Sequence, residues 1–269
     1  MTNPIHPPPG FEIRKLERQH IPWAQAILAH SNIFRSPVWA SMYPASQTAR
    51  CYEFFSALES LVSLNIASGL SYGVFATSYP FSSPESASLG GRLLWDLSNL
   101  AATADDLTSQ MDFPLVSIAL SYDGFEPRDG SEWKAPISVI PRLATLFAQV
   151  GAGDTRDPAS WKPTGYNQVL IRGGTATRED FGGKGLAKIL AHWLVYEMSS
   201  IGFTAMQIGS AHPAVRNIFL GVPNPPFKAE VVSQWIARDY EEQDEGGKVV
   251  RPFAACGDVP LVKIWVTLK

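Results

Sequence analysis

One stretch of the sequence limits the fold more than any other. Residues 168–177 (Q-V-L-I-R-G-G-T-A-T) have the apolar, β-branched character of a strand. A glycine turn follows, and within 184–200 the residues Leu186, Ile189, Leu190, Trp193 and Leu194 recur at helical spacing, the stripe of a helix packed on one side. Residues 203–209 (F-T-A-M-Q-I-G) form a second strand, and a short helix begins at Pro213. A strand, a helix and a strand in this order make a crossover, which joins parallel strands with a right-handed connection. The chain is therefore an α/β protein.

The rest of the chain supplies further elements. Residues 1–10 are Pro-rich and predict an extended arm, because proline lacks the backbone donor that regular structure needs. Alternation predicts a strand at 11–16, and 3.6-residue spacing predicts helices at 20–30 and 47–68, the latter through Tyr52, Phe55, Leu58, Leu61 and Leu64. Strands are expected at 70–77, 92–96 and 113–122, a helix at 137–150 with Pro141 in its first turn, and a connector at 151–166. Two strands close the chain at 229–237 and 261–268, and the acidic segment between them reads as a solvated hairpin.

Composition narrows the function classes. Of 269 residues, 45% are hydrophobic and 17% charged, which suits a chain that buries its own core. A formal charge of -3 and the lack of any basic run argue against nucleic acid as a partner. No apolar run approaches the roughly 18 residues of a membrane span. Cys51 and Cys256 form no metal-ligand or disulfide pattern, so no metal and a reducing, cytoplasmic setting are expected.

The chemistry concentrates at F-G-G-K-G-L-A-K-I-L, residues 181–190. Glycines allow positive φ and a close backbone approach, and the first amides of a helix point outward without partners, so such a turn can cradle a pyrophosphate. The alternative is a turn that merely packs tightly. A Walker A loop is excluded because Gly185, not a hydroxyl residue, follows Lys184. A Rossmann fingerprint is disfavoured because the turn comes late and the chain ends in strands.

Aligned by its ending, the hexapeptide Gly182-Gly183-Lys184-Gly185-Leu186-Ala187 resembles the core motif of the GNAT superfamily of acyl-CoA-dependent N-acyltransferases, Gln/Arg-x-x-Gly-x-Gly/Ala after the fourth strand. Gly182 departs from it, and Arg178 is the nearby charge that would substitute. The segment H-P-A-V-R-N-I-F-L-G resembles the helix after the family's fifth strand, with Phe219 at its Tyr position and His212 at its Asn position. The chain is also similar to a group of fungal GNAT-like proteins through Y-G-V-F, M-D-F-P-L-V-S-I-A-L and N-P-P-F-K-A.

The resemblance implies a mixed central sheet of GNAT type flanked by helices, with an elaborated N-terminal half. Residues 11–269 would form a single domain, with a core motif at 167–220 and an insert or connector at about 79–165. Acetyl-CoA or another acyl-CoA would be the co-substrate and no metal would be needed. Its pantetheine would pair with Thr175, Ala176 and Thr177, and its pyrophosphate would rest on the amides of Gly182, Gly183, Lys184, Gly185, Leu186 and Ala187, with Lys184 adding charge. The acceptor would be a small amine of secondary metabolism, and the protein a monomer or homodimer.

Attack by an amine needs a base for its proton and an acid for the departing thiolate. His212 is a candidate base, the alternative being a hydrogen-bonded residue at a helix start. Ser210 would either cap that helix or orient the thioester carbonyl. Asp96, ending the strand expected at 92–96, is preferred as acid or base over Asp123, whose Asp-Gly pair is a turn signal. Trp95, Trp133 and Trp235 would line an acceptor pocket or belong to the core. Two readings follow: an N-acyltransferase, supported by Gly185 and Ala187, or a GNAT-fold protein that has lost transfer and binds an acyl thioester or runs other chemistry in the same cleft, favoured by Phe219 and Gly182. A non-catalytic interaction module is the third, and it leaves the glycine turn without a purpose.

Overall fold

Periodic strands with a single parallel crossover arrange themselves here into one mixed sheet. The computed structural model describes residues 3–269. Its strands are β1 (Phe11–Lys15), β2 (Tyr72–Ala76), β3 (Leu115–Asp123), β4 (Val169–Thr177), β5 (Ala205–Ser210), β6 (Lys228–Ile236) and β7 (Pro260–Thr267). They hydrogen-bond in the order β1-β2-β3-β4-β5-β7-β6. All neighbours are antiparallel except β4 and β5, which the crossover makes parallel.

Alternating side chains send two cores to the two faces of the sheet. One face carries α1 (Ile21–His30), α2 (Gln47–Ala57), α3 (Glu59–Ala67) and α4 (Arg142–Ala152) over Ile118, Leu120 and Ala176. The other carries the crossover helix α5 (Leu186–Ser200) and the short α6 (Pro213–Leu220) over Val116, Leu170, Ile208 and Ile264. Leu186, Leu190, Leu194 and Met198 form the buried stripe of α5 at the expected spacing. His192 ties the two helices through a 3.0 Å contact with the Ile218 carbonyl.

Several expectations are adjusted by the packing. The helix expected at 47–68 bends at Leu58 and runs as α2 and α3. Pro141 does not fall inside a helix: a separate short helix, Lys134–Val139, precedes it, and α4 starts directly after it. The strand expected at 92–96 shrinks to Arg92–Leu93, which pairs only with Met111–Asp112, outside the main sheet. Of the N-terminal arm, residues 1–2 lie outside the described residues. Asn3 donates from Nδ2 to the Trp193 carbonyl at 2.9 Å, which fastens the arm to α5. The acidic segment forms a small hairpin, Glu242–Gln243 against Val249–Val250, with the Asp244 carboxylate accepting from the amides of Gly246 and Lys248. Among the described residues no helix is long and apolar enough to cross a membrane.

The connector between α4 and β4 is held down by charge. Asp154 has no exposed side-chain surface and receives Arg156 Nη2 and Lys263 Nζ, each at 2.8 Å. The two cations also lie over aromatic rings, Lys263 over Trp161 at 3.9 Å and Arg156 over Trp265 at 4.7 Å. Lys263 sits opposite Gly209 of β5, so this cluster fixes the connector beside the end of that strand. Arg156 above all, and then Lys263, hold the Asp154 carboxyl well below the usual carboxylate range.

Asp154→Asn leaves Lys263 buried without its counter-charge and is expected to lower the unfolding free energy by about 3 kcal/mol. Because the folded pKa of Asp154 is depressed, its contribution is complete above the unfolded carboxyl value of about 3.9 and is lost as pH falls through the folded value. Urea unfolding of both proteins checks this; a difference under about 1 kcal/mol at neutral pH contradicts the role given to the cluster.

Candidate active site

Parallel strands that start together do not stay together here. β4 and β5 pair from Val169↔Ala205 through Arg172↔Ile208, and there the pairing stops. Beyond this point β4 continues to Thr177 against β3 alone, and β5 continues to Ser210 against β7 alone. A bulge accompanies the parting: Ser121 faces Arg172 and Leu120 faces Gly174, so Gly173 is the extra residue. Such an insertion bends the strand that carries it. The edge of residues 173–177 that faces β5 has no strand partner, so the parting strands leave a wedge bordered on one side by free backbone.

The glycine turn follows the unpaired end of β4, after one 3-10 turn at Glu179–Phe181. Gly183 and Gly185 adopt φ of +73° and +72°, a left-handed conformation costly for side chains with a Cβ. Gly185 is the cap residue of α5, provides no side-chain cap, and is followed by a first turn without acidic residues. The amides of Gly183 through Lys188 make no hydrogen bond among the described residues, so the positive end of the α5 dipole is unanswered. The two carboxylates just before the turn are each matched by an arginine, Glu179 by Arg35 at 3.3 Å and Asp180 by Arg178 at 2.7 Å. Lys184 extends over the Phe181 ring at 4.4 Å.

Several residues named from the sequence occupy other roles. Asp96 is not at a strand end in the cleft. It is exposed in a loop, and its carboxylate accepts from the Ser98 amide and hydroxyl at 3.0 and 2.6 Å. Those bonds lower its pKa, which opposes service as acid or base at neutral pH. Arg178 is no free substitute for the family's Gln or Arg. It is 4% exposed, grips Asp180 through Nε and Nη2, and donates to the Phe113 carbonyl at 2.7 Å.

His212 and Ser210 close the start of α6. The cap is His212, whose Nδ1 accepts the Ala214 amide at 3.1 Å. The neutral ring therefore carries its proton on Nε2 and has no lone pair left there to act as a base. Desolvation lowers its pKa further below the ordinary histidine value. The Ser210 hydroxyl is occupied by the His212 backbone, to whose carbonyl it donates at 3.1 Å and from whose amide it accepts at 3.2 Å. Asp123 binds the amides of Phe125 and Asn167 at 2.9 and 2.6 Å, as a turn-forming carboxylate does. The three tryptophans pack against the core; Trp95 Nε1, for instance, donates to the Leu107 carbonyl at 2.8 Å. Phe219 is fully buried beneath the cleft.

What sequence reasoning missed is Arg172. It is the last β4 residue paired to β5, is 8% exposed, and stands with its guanidinium carbon 6.0 Å from the centre of the Phe219 ring. The available signal was a lone charge inside an apolar strand run, V-L-I-R-G-G. Thr175 and Thr177, expected to face a ligand, have their hydroxyls engaged by Arg172 and Ser117, both at 2.8 Å, while the β5-side backbone edge of 173–177 has no strand partner.

No family model matches the sequence, and no curated protein matches it. Solved structures do share its architecture. The C-terminal condensation domain of Ebony, in complex with beta-alanyl-dopamine, is 13% identical, with 95% of this chain and 97% of that one covered at a TM-score of 0.59. Arylalkylamine N-acetyltransferase 2 from Aedes aegypti is 11% identical over 96% of this chain and 99% of its own, with a TM-score of 0.58. A variant of agmatine N-acetyltransferase is 13% identical over 96% and 98%, with a TM-score of 0.53. At such identities the likeness is one of fold alone, and it spans 95–96% of this chain rather than its core motif alone.

The cap assigned to His212 has a measurable consequence. His212→Ala is expected to cost about 1 kcal/mol of stability, and His212→Asn to restore most of it. Since the folded pKa of His212 is depressed, the cap is complete above the unfolded value of about 6.5 and is lost as pH falls through the folded one. Thermal melts between about pH 5 and 8 read this; an alanine variant that melts with the wild type at every pH contradicts the cap.

Proposed function

We propose that the wedge between β4 and β5 is an acyl-thioester site and that the protein is an N-acyltransferase, moving an acyl group from acetyl-CoA or another acyl-CoA to a small amine. The observation that carries this is the pairing lost between the two parallel strands just below an unanswered helix N-terminus. A phosphate group suits the bare amides of 183–188, and an amide-containing chain suits the bare edge of β4. The length of the bare edge also suits such a ligand. From Arg172 to Thr177 a strand rises roughly 17 Å. The pantetheine arm, about thirteen bonds from phosphorus to sulfur, has the length of four to five extended residues, roughly 15 Å. The thioester would thus lie at the apex of the wedge, where an amine entering between the strands meets it at short range.

In this arrangement Gly183, Lys184, Gly185, Leu186 and Ala187 hold the pyrophosphate through their amides, whereas Gly182, expected to share in this, spends its amide on the Glu179 carbonyl at 2.8 Å; Thr175, Ala176 and Thr177 hold the pantetheine amides. Those assignments, a cytoplasmic setting and an acceptor drawn from secondary metabolism belong to the proposal. The named activities of the structural neighbours, acetylation of arylalkylamines and of agmatine, lend support to a small amine as acceptor. A second reading, a protein that binds an acyl thioester without transferring it, is favoured by one observation: Phe219, at the position of the family's tyrosine, has no proton to give.

Calorimetric titration of the full chain with acetyl-CoA, followed by thiol release across a panel of arylalkylamines, agmatine and polyamines, tests both. Binding with thiol release is expected. Binding without release for any amine supports the second reading, and no binding at millimolar acetyl-CoA contradicts both. Gly185→Asp is expected to abolish binding, because a carboxylate in the turn repels the pyrophosphate and the residue cannot hold φ of +72° without strain; unchanged affinity would place the site elsewhere.

A further inference from the structure

The apex of the wedge holds a cation without an anion. Arg172 Nη1 donates to Ser121 Oγ at 2.6 Å, and Nη2 donates to Thr175 Oγ1 at 2.8 Å and to the Gly174 carbonyl at 3.5 Å. Its Nε has no partner among the described residues. All of these acceptors are neutral. Burial, with no opposing carboxylate, is the cause that pushes this guanidinium down to about 9, so it is still protonated at neutral pH. Burying a charge without compensation costs several kcal/mol, and perturbed charges of this kind cluster at functional sites.

Cleavage of a thioester produces such anions in order: first the oxyanion of the tetrahedral adduct, then the departing thiolate. Leu170, Ser121, Thr175, Ile208 and Phe219 lie on this face beside it, while Ser210, farther along β5, is bonded to the His212 backbone and His192 of α5 to the Ile218 carbonyl. None of those beside it carries a charge or gives up a proton near neutral pH. We infer that Arg172 is the catalytic cation of the wedge, stabilising the leaving CoA thiolate as an ion pair where none of these neighbouring side chains is free to protonate it. This inference rests on the acyltransferase reading above. In the step concerned, the amine lone pair forms the new C–N bond and the carbonyl π pair moves to oxygen. When the C=O re-forms, the C–S bond breaks and its electron pair remains on sulfur beside Arg172. The surplus proton of the amine passes to water.

An arginine beside a thiol lowers the thiol pKa, which gives a test that needs no acceptor. CoA bound to the full-length protein is titrated with pH, and its thiolate is followed by ultraviolet absorbance. In the wild type the bound thiol is expected to titrate about one pH unit or more below free CoA. In Arg172→Lys part of that shift remains, and in Arg172→Gln it vanishes while CoA affinity changes less than about threefold. With tyramine as acceptor, kcat for acetyl transfer falls about 100-fold in Arg172→Gln while KM for acetyl-CoA stays nearly constant. A wild-type thiol that titrates as free CoA does overturns the inference and leaves the CoA site standing. Failure of the wild type to bind CoA overturns both. The wild-type titration decides the matter even where Arg172→Gln does not fold.

Discussion

The parting of β4 from β5 after Arg172 and Ile208 is the constraint around which the rest of the chain is arranged. A sheet interior normally satisfies every backbone donor and acceptor. Here the last five residues of β4 keep only one of their two neighbours, so the structure must hold the opening against closure. The Gly173 bulge bends β4, and β7, inserted between β5 and β6, pairs with β5 along its whole length. The cluster of Asp154, Arg156 and Lys263 then clamps the connector beside the far strand. Together these devices leave a row of amides and carbonyls free.

Electrostatics divides the wedge into two regions of positive potential. At the top, the α5 dipole and Lys184 act on a turn whose neighbouring carboxylates are already paired, so little negative field opposes an incoming phosphate. At the apex, Arg172 supplies a full charge in a setting of low dielectric, where its interaction with an anion is strongest. The residues proposed from the sequence as acid or base are engaged otherwise: Asp96 stands in an exposed loop, bonded to Ser98, and His212 spends its Nδ1 lone pair on a helix cap. The charge that the site can offer to the reaction comes from a strand, not from the loop and helix end first considered.

The difference between what was legible and what was not follows from the range of the interactions. The crossover of β4, α5 and β5 could be read because period-2 and 3.6-residue patterns are local and because glycines needed for positive φ stand out in sequence. The bend at Leu58 and the short pairing of Arg92–Leu93 were not legible, since both answer to tertiary packing rather than local propensity. Asp96 was misplaced for the same reason: its strand was expected to run five residues and ran two. Arg172 was invisible as a site because a lone charge in a strand does not announce which neighbours surround it. The strand pairing that seats it beside Ser121 and Ile208 is long-range. The Asp154 and Lys263 pair is likewise assembled from distant segments.

The central claim is that the free edge of β4 and the bare amides of the glycine turn form one continuous ligand site. Amide hydrogen exchange with and without CoA measures this most directly. CoA is expected to slow exchange at residues 173–177 and 183–188 together, leaving β1 and β2 unchanged. Protection confined to some other surface, or none at either segment under saturating CoA, would contradict it.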